Sequence, residues 1–384
     1  MKKVGIITIH NSPNYGACLQ SYALYYYIVS KGCDCEIMDV HRPVHDDYIY
    51  EKEYSSFRNN PFTFRKRFFG HIRHLAKKIL GREDTIIKFT SAISEERFNN
   101  FNSQIRYSKV YNKLSDLKKN PPIYDLYISG SDQLWNPDQP YCLEPYFLTF
   151  APKGKEKISF ATSIGITELT SKEKSYFKTW LSTYNAVSVR EIQAKKLLDS
   201  FIDTDIIRVA DPTFLLPSEY WKSIAVSPNN GKGYILLYLL SRNNELIQYA
   251  EQLALESGKE LVILKDLDIK TEPGRYVVDN DCGPKEWIGY LQNAELVITD
   301  SFHCTVFSIL MGADNFYSYI NPLSKRGSRI VDLLTRFGLE DHLLPVDFNI
   351  PYSILSSLKI DKDKINNIVE EERTLSRNFL NQWL

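Results

Sequence analysis

The sequence predicts an α/β protein built from two doubly wound halves, each a parallel sheet with helices between its strands. Three observations predict it. Short apolar, β-branched runs recur without strict alternation, as in strands buried on both faces of a sheet. Each is followed by a polar turn and then by apolar residues at helical spacing. At 384 residues the chain is also too long for one ordinary core. Its 47 basic and 47 acidic residues cancel, which leaves no net field for nucleic acid and argues against a basic-groove function.

The run VGIITI at 4–9 reads as the first strand. The next stretch, NSPNYGACLQSYAL (11–24), turns at once into a helix whose Leu19, Tyr22, Ala23, Tyr26 and Tyr27 form the buried stripe, ending near Gly32. A turn at the carboxyl end of a parallel strand is where open α/β sheets bind ligands, and a helix start favours anions or sugar hydroxyls. An ordinary βα turn, with Asn and Gly serving backbone geometry, is the other reading. Residues 35–40 form a second strand, and 43–120 reads as a basic, aromatic, largely helical insertion. Within it RKRFFGHIRHLAKKIL (65–80) sets Phe68, Phe69, Ile72, Leu75, Ile79 and Leu80 on one face, with basic residues elsewhere. Such a helix either lies on an anionic membrane surface or covers the sheet.

The stretch YDLYISGSDQLWNP (124–137) ends a short strand in Gly130, Ser131, Asp132 and Gln133 beside Trp135, a mixture that suits the hydroxyls and ring faces of carbohydrate. Asp132 there is a proton acceptor or a helix cap. ISFATSIG (158–165) repeats the arrangement. In AVSVREIQAKKLL (186–198), Arg190 stands where a strand becomes a helix, either gripping a carboxylate or phosphate with Glu191 as its orienter, or forming a local ion pair. RVADPTFLL (208–216) stops at Asp-Pro, and the domain boundary falls near 218.

The second half is more regular. Strands are predicted at 233–240, 260–266, 295–300 and 315–320, and helices at 243–257, 284–294, 303–312 and 328–338. The predicted organisation is a first Rossmann-like domain over 1–218, a second over 219–360, and a helix at 361–384 that returns to pack on the first. Two such halves facing across a cleft give a glycosyltransferase-B-like architecture. In LVITDSFHCTVFSILMG (296–312) the strand ends at Asp300, and His303 opens a helix whose Val306, Phe307 and Leu310 face the core. The imidazole is thereby placed in the cleft as a proton donor or a hydrogen-bond donor to phosphate, a packed core histidine being the bland reading.

These residues resemble the polysaccharide pyruvyl transferase family. The resemblance rests on H-N-x-x-N-Y-G-A-x-L-Q (10–20), G-S-D-Q-x-W-N (130–136), A-T-S-I-G (161–165), S-V-R-E (188–191), D-P-T-F-L-L (211–216) and T-D-S-F-H-x-T-V-F-S (299–308). Each motif is weak alone, and their joint order is specific. The resemblance implies transfer of an enolpyruvyl unit from phosphoenolpyruvate to a sugar of a cell-surface polysaccharide or its lipid-linked precursor, forming a pyruvate ketal and phosphate. It implies a donor site of Arg190, Ser301, Phe302, His303, Lys325, Arg326 and Arg329, with Ser301 and Phe302 offering backbone amides, and His303 as the acid. It further implies an acceptor site of Asn14, Tyr15, Gly16, Ser131, Asp132 and Gln133, with Asp132 as the base. Cys304 stands where relatives often carry Gly, which narrows the pocket or leaves a thiol near the donor.

Other features set the expected context. No DxD pair stands in a credible loop and no G-x-G-x-x-G occurs, so no metal or nucleotide cofactor is expected. The six cysteines form no CxxC pair, which suggests free thiols. No apolar stretch approaches the ~20 residues of a membrane span and no cleavage site follows the N-terminal apolar run. A cytoplasmic protein is therefore expected, with peripheral contact at the inner face of the membrane only in the reading that lays 65–80 on that surface and not on the sheet. Two other classes fit the same architecture: a nucleotide-sugar glycosyltransferase and a non-catalytic glycan-binding relative.

Overall fold

The computed structural model describes residues 1–10, 12–43, 45, 47–49, 51, 58, 90–228, 231–264, 276–322 and 327–384. The first half holds β1 (Lys3–Ile7), α1 (Tyr15–Ser30), β2 (Asp34–Ile37), α2 (Ala92–Asn102), α3 (Leu114–Lys119), β3 (Leu126–Ser129), β4 (Glu156–Ser159), α4 (Ser171–Leu181), β5 (Val187–Val189), α5 (Ile192–Asp199) and β6 (Ile206–Arg208). The second holds α6 (Ser218–Ile224), β7 (Tyr234–Tyr238), α7 (Asn244–Ser257), β8 (Leu261–Leu264), β9 (Val277–Asp279), α8 (Pro284–Asn293), β10 (Ala294–Thr299), α9 (Phe302–Met311), β11 (Phe316–Ser318), α10 (Ser328–Phe337) and α11 (Tyr352–Leu355). The chain ends in α12 (Lys362–Asn381).

All strand pairs are parallel. The first sheet runs β2-β1-β3-β4, with the pair β5-β6 joined beside β4 by single bridges, and the second runs β11-β10-β7-β8-β9. Parallel pairing forces a crossover between neighbours and covers both faces, which is why Ile6, Ile128, Leu237 and Val297 are all fully buried. Each sheet reverses its winding once, between β1 and β3 and between β7 and β10. Those reversals open crevices at the carboxyl ends of the strands. The stretches that follow β1, β3, β7 and β10 carry most of the motif residues.

The halves meet through side chains. Tyr15 at the start of α1 stacks on Trp287 of α8, with ring centres 5.6 Å apart, and donates its hydroxyl to the Cys282 carbonyl at 3.1 Å. From α2, Ser94 donates to the same carbonyl at 2.8 Å and Arg97 to that of Asp281 at 2.9 Å. The helix α12 packs on residues of the first half: Ser376 accepts from the Ala210 amide at 2.9 Å, and Phe379 lies 6.2 Å from Phe160. Glu372 on α12 binds Arg208 of β6 and also Arg336 of α10.

Three local differences from expectation have simple causes. The first strand stops at Ile7, because Thr8 turns its hydroxyl to the Ser131 carbonyl at 3.1 Å. The strand expected in ISFATSIG stops at Ser159, and Ala161 takes φ +53, where the L side chain crowds the backbone. The strand β9 was not expected, since three partly exposed residues at a sheet edge carry too little apolar signal. The amphipathic segment 65–80 lies outside the described residues.

Candidate active site

The chemistry-bearing residues arrive at one place because the strands that deliver them are parallel. At the end of β10, Thr299 accepts the Ser301 amide at 3.0 Å, and Ser301 caps α9 through the Cys304 amide at 3.4 Å. This fixes the entry of α9 and sets His303 in its first turn. The imidazole keeps a tenth of its surface exposed, and its Nε2 lies 3.3 Å from Asp211. On the other side it rests on Gly16 of the first half. A Cβ added there would lie 2.2 Å from Nδ1, so glycine is what lets the helix starts of α1 and α9 approach.

Asp211 is held by Arg190 Nη1 at 2.8 Å, the Thr213 amide at 3.0 Å and the Thr213 hydroxyl at 2.8 Å. Burial would raise its carboxyl, but the neighbouring His303 and Arg190 hold it well below the usual carboxylate range. Arg190, itself buried, also donates to Glu191 at 2.9 Å and to the Ser131 hydroxyl at 3.4 Å. Its Nη2 is buried with no partner among the described residues. The guanidinium lies 4.2 Å from the centre of the Phe302 ring, and that of Arg329 lies 5.5 Å from the same ring. The negative ring face lets two cations stand close together.

Asp132 joins this cluster at φ +72, an uncommon conformation for a residue with a side chain, and accepts the Gln133 amide at 2.8 Å. Burial pushes its carboxyl up, but His303, Arg190 and Arg329 together bring it below the ordinary value. One network thus joins Ser131 and Asp132 after β3, Arg190 after β5 and Asp211 after β6 to Phe302 and His303 of α9.

A sequence model of the polysaccharide pyruvyl transferases matches residues 14–314, well over half of the chain. The chain belongs to that family. No curated protein matches it in sequence. Among solved structures, the glycotransferase of kitacinnamycin superposes with a TM-score of 0.54 at 10% identity, covering 98% of this chain and 96% of its own. UDP-N-acetylglucosamine 2-epimerase from Rickettsia bellii superposes at 0.51 and 9% identity, covering 99% and 95%. At such identities these likenesses show the fold alone, the two-domain glycosyltransferase-B arrangement. Membership of the pyruvyl transferases makes this chain a transferase of polysaccharide biosynthesis, with a polysaccharide as the implied acceptor.

Against that family background, the residues expected at the donor and acceptor sites are distributed unevenly. Arg190, Phe302, His303 and Arg329 converge. Ser301 is not placed as an amide donor to a ligand, because its N–H is taken by Thr299. Lys325 and Arg326 lie outside the described residues. Tyr15 is not placed to hold a sugar: its ring is buried between Phe98, Tyr238 and Trp287. Gly16 seats the imidazole, and Asn14 caps α1 by accepting the Ala17 amide at 3.0 Å. Ser131 and Gln133 face the cations instead, the latter with its amide 2.8 Å from Arg329. Asp132 starts no helix. Cys304 is fully buried, and burial pushes its thiol up to about 12, so it is not a reactive group near the donor.

Asp211 was missed as a site residue; its signal was an Asp-Pro closing an apolar run at a strand end. Asp300 was missed too. It lines a cavity of about 420 Å³ between the halves, together with Asn136, Asp138, Phe302, Tyr319 and Arg329. Among the described residues no cluster of His, Cys, Asp and Glu could hold a metal ion, and no helix is long and apolar enough to cross a membrane.

Gly16→Ala tests the junction directly. The methyl group must displace His303 or part α1 from α9, so turnover is expected to fall at least about tenfold, with a lower melting temperature. Activity and thermal unfolding of the purified variant check this, and wild-type values for both would show that the contact does not shape the site.

Proposed function

We propose that this protein transfers the pyruvyl unit of phosphoenolpyruvate to two hydroxyls of one sugar in a polysaccharide or its precursor, giving a pyruvate ketal and phosphate. The observation that carries the proposal is the pair of guanidinium groups on the Phe302 ring, one of them buried with an Nη2 that has no partner among the described residues, beside the imidazole of His303. A small metabolite bearing both phosphate and carboxylate calls for planar donors of fixed geometry. The Phe302 and His303 amides add to them, since the first turn of α9 has no preceding carbonyl to receive its N–H groups. Lys325 and Arg326 are further cations in the segment just before α10.

In this reading His303 gives a proton to the methylene carbon of the donor, and positive charge develops at carbon two. Asp211 is the counterion of the imidazole while it carries that proton, and Arg190 holds Asp211 in place. The two hydroxyls lose two protons in all; one is balanced by the proton gained at the methylene carbon and one leaves with phosphate. Donors that hold the resting enol phosphate less well than the species with cationic carbon two would lower the barrier. No resident metal or nucleotide is invoked.

The test is incubation with phosphoenolpyruvate and a panel of galactosides, glucosides and mannosides, free and lipid-linked, following phosphate release and the mass of the product. Phosphate release coupled to a ketal is expected. Turnover of a nucleotide sugar with no response to phosphoenolpyruvate would replace this reading with a glycosyltransferase.

A further inference from the structure

We propose that the acceptor sugar occupies the cavity between Asp300 and the Asn136 and Asp138 wall, and that Asp300 is the base that takes the proton of its attacking hydroxyl. This rests on the pyruvyl-transfer reading above. The first ground is room. With Asn14 capping α1 and Tyr15 and Gly16 committed to the junction of the halves, the acceptor needs another space in reach of Phe302 and Arg329. The cavity of about 420 Å³ has both residues in its wall and is lined from both halves. Its lining mixes amide, carboxylate and phenol groups with Ile166 and Ile320, as a sugar with polar edges and apolar faces requires.

The second ground is which carboxylate is able to accept a proton. Asp132 and Asp211 are each surrounded by His303 and Arg190, which keep them ionised and weakly basic. Glu191 is bound to Arg190 at 2.9 Å, and Asp138 pairs with Arg58 at 3.3 Å. Asp300 differs. Among the described residues it makes no ion pair, and it is held by backbone alone, accepting the Leu240 amide at 2.6 Å and the Ser241 amide at 3.4 Å. Each oxygen keeps a lone pair beyond the one used. Burial, opposed by those amides, pushes the carboxyl up to about 6, suited to accepting a proton near neutrality. The titratable neighbours are Tyr238 of β7 and Cys304 of α9, both neutral through this range because burial raises them. Tyr319, Arg242, Arg329 and Asp138 line the same cavity.

The step balances as follows. The hydroxyl oxygen bonds to carbon two of the protonated donor and its proton passes to Asp300. The bond from carbon two to the phosphate oxygen then breaks and phosphate leaves with the proton held by Asp300; the second hydroxyl adds to carbon two, and its proton returns to the His303 imidazole that protonated the methylene carbon.

Asp300→Asn tests this, because the amide oxygen still accepts from Leu240 and the loop after β7 is preserved. Expected are a fall in kcat of at least about 100-fold, a Kd for phosphoenolpyruvate within about threefold of wild type by calorimetry, and loss of the acidic limb near pH 6 in the pH profile. Asp300→Glu is expected to regain part of the rate and to restore the limb. An Asn variant with near-normal kcat, or a limb near pH 6 that persists in it, overturns the assignment. Weakened phosphoenolpyruvate binding with unchanged kcat would make Asp300 part of the donor site and overturn it equally. A wild-type protein that neither binds phosphoenolpyruvate nor releases phosphate removes the pyruvyl-transfer reading, and this inference with it.

Discussion

Arg190→Ala is expected to abolish turnover and to cost about 3–5 kcal/mol of folding stability, whereas Arg190→Lys should retain most of the stability and little of the activity. The guanidinium neutralises Glu191 and Asp211, both buried, and stands near Asp132. Removing it leaves Asp211 charged in the interior with only Thr213 and His303 in reach. A lysine amine can answer one of these carboxylates, but it has no fork to hold both and still present a donor to a ligand. The pH dependence gives the sign. Asp211 has a lowered carboxyl in the folded wild type, so its stabilising contribution is present above about pH 4 and is lost as pH falls through the folded value. In Arg190→Ala one of the groups that hold the carboxyl down is gone while His303 and the Thr213 amide remain, so the carboxyl rises toward its ordinary value and the variant has less of this contribution to lose on acidification. Urea unfolding between pH 4 and pH 7.5, with kcat/KM for phosphoenolpyruvate, checks both halves of this expectation. An Ala variant as stable as wild type would mean that the charges are not coupled as the distances indicate.

The cluster around Arg190 shows what a sequence can and cannot disclose. Apolar runs such as LYIS in β3 and LVIT in β10 identify buried parallel strands, and in a parallel sheet residues just past such runs share one edge. Ser131, Arg190 and His303 could therefore be placed in a cleft from order alone. The sequence leaves open whether Arg190 forms an ion pair or grips a ligand, and the structure shows three of its nitrogens differently employed: two on carboxylates and one without a partner among the described residues. The choice could not be settled from the chain because Asp211 lies twenty-one positions away, past the end of another strand. The role of Tyr15 and Gly16 was hidden for a stronger reason. It depends on how one half sits on the other, and neither the turn after β1 nor the helix of His303 carries a local sign of that contact. Asp132 and Asp300 are alike in sequence, each a carboxylate after an apolar strand. Only the surrounding cations make one a weak base and leave the other a stronger one.

His303→Ala is expected to reduce turnover by at least about 100-fold while leaving phosphoenolpyruvate affinity within a few-fold, since the side chain supplies a proton and Arg190 and Arg329 remain to hold the anion. Run in deuterated water, wild-type protein should place solvent deuterium in the methyl group of the ketal, and the variant should leave the donor methylene unexchanged. A variant that still labels the methyl at the wild-type rate would assign protonation to another group. Packing and chemistry at this residue can be separated, because the same imidazole fills the space above Gly16. Gly16→Ala alone forces a clash and His303→Ala alone opens a cavity. Together the new methyl group occupies part of the space the ring vacated, so the losses of stability should be strongly less than additive. Turnover should not recover, because no proton donor has been restored. A double variant that regains stability without activity identifies the imidazole as the acid, whereas recovery of both would reduce it to a spacer between the halves.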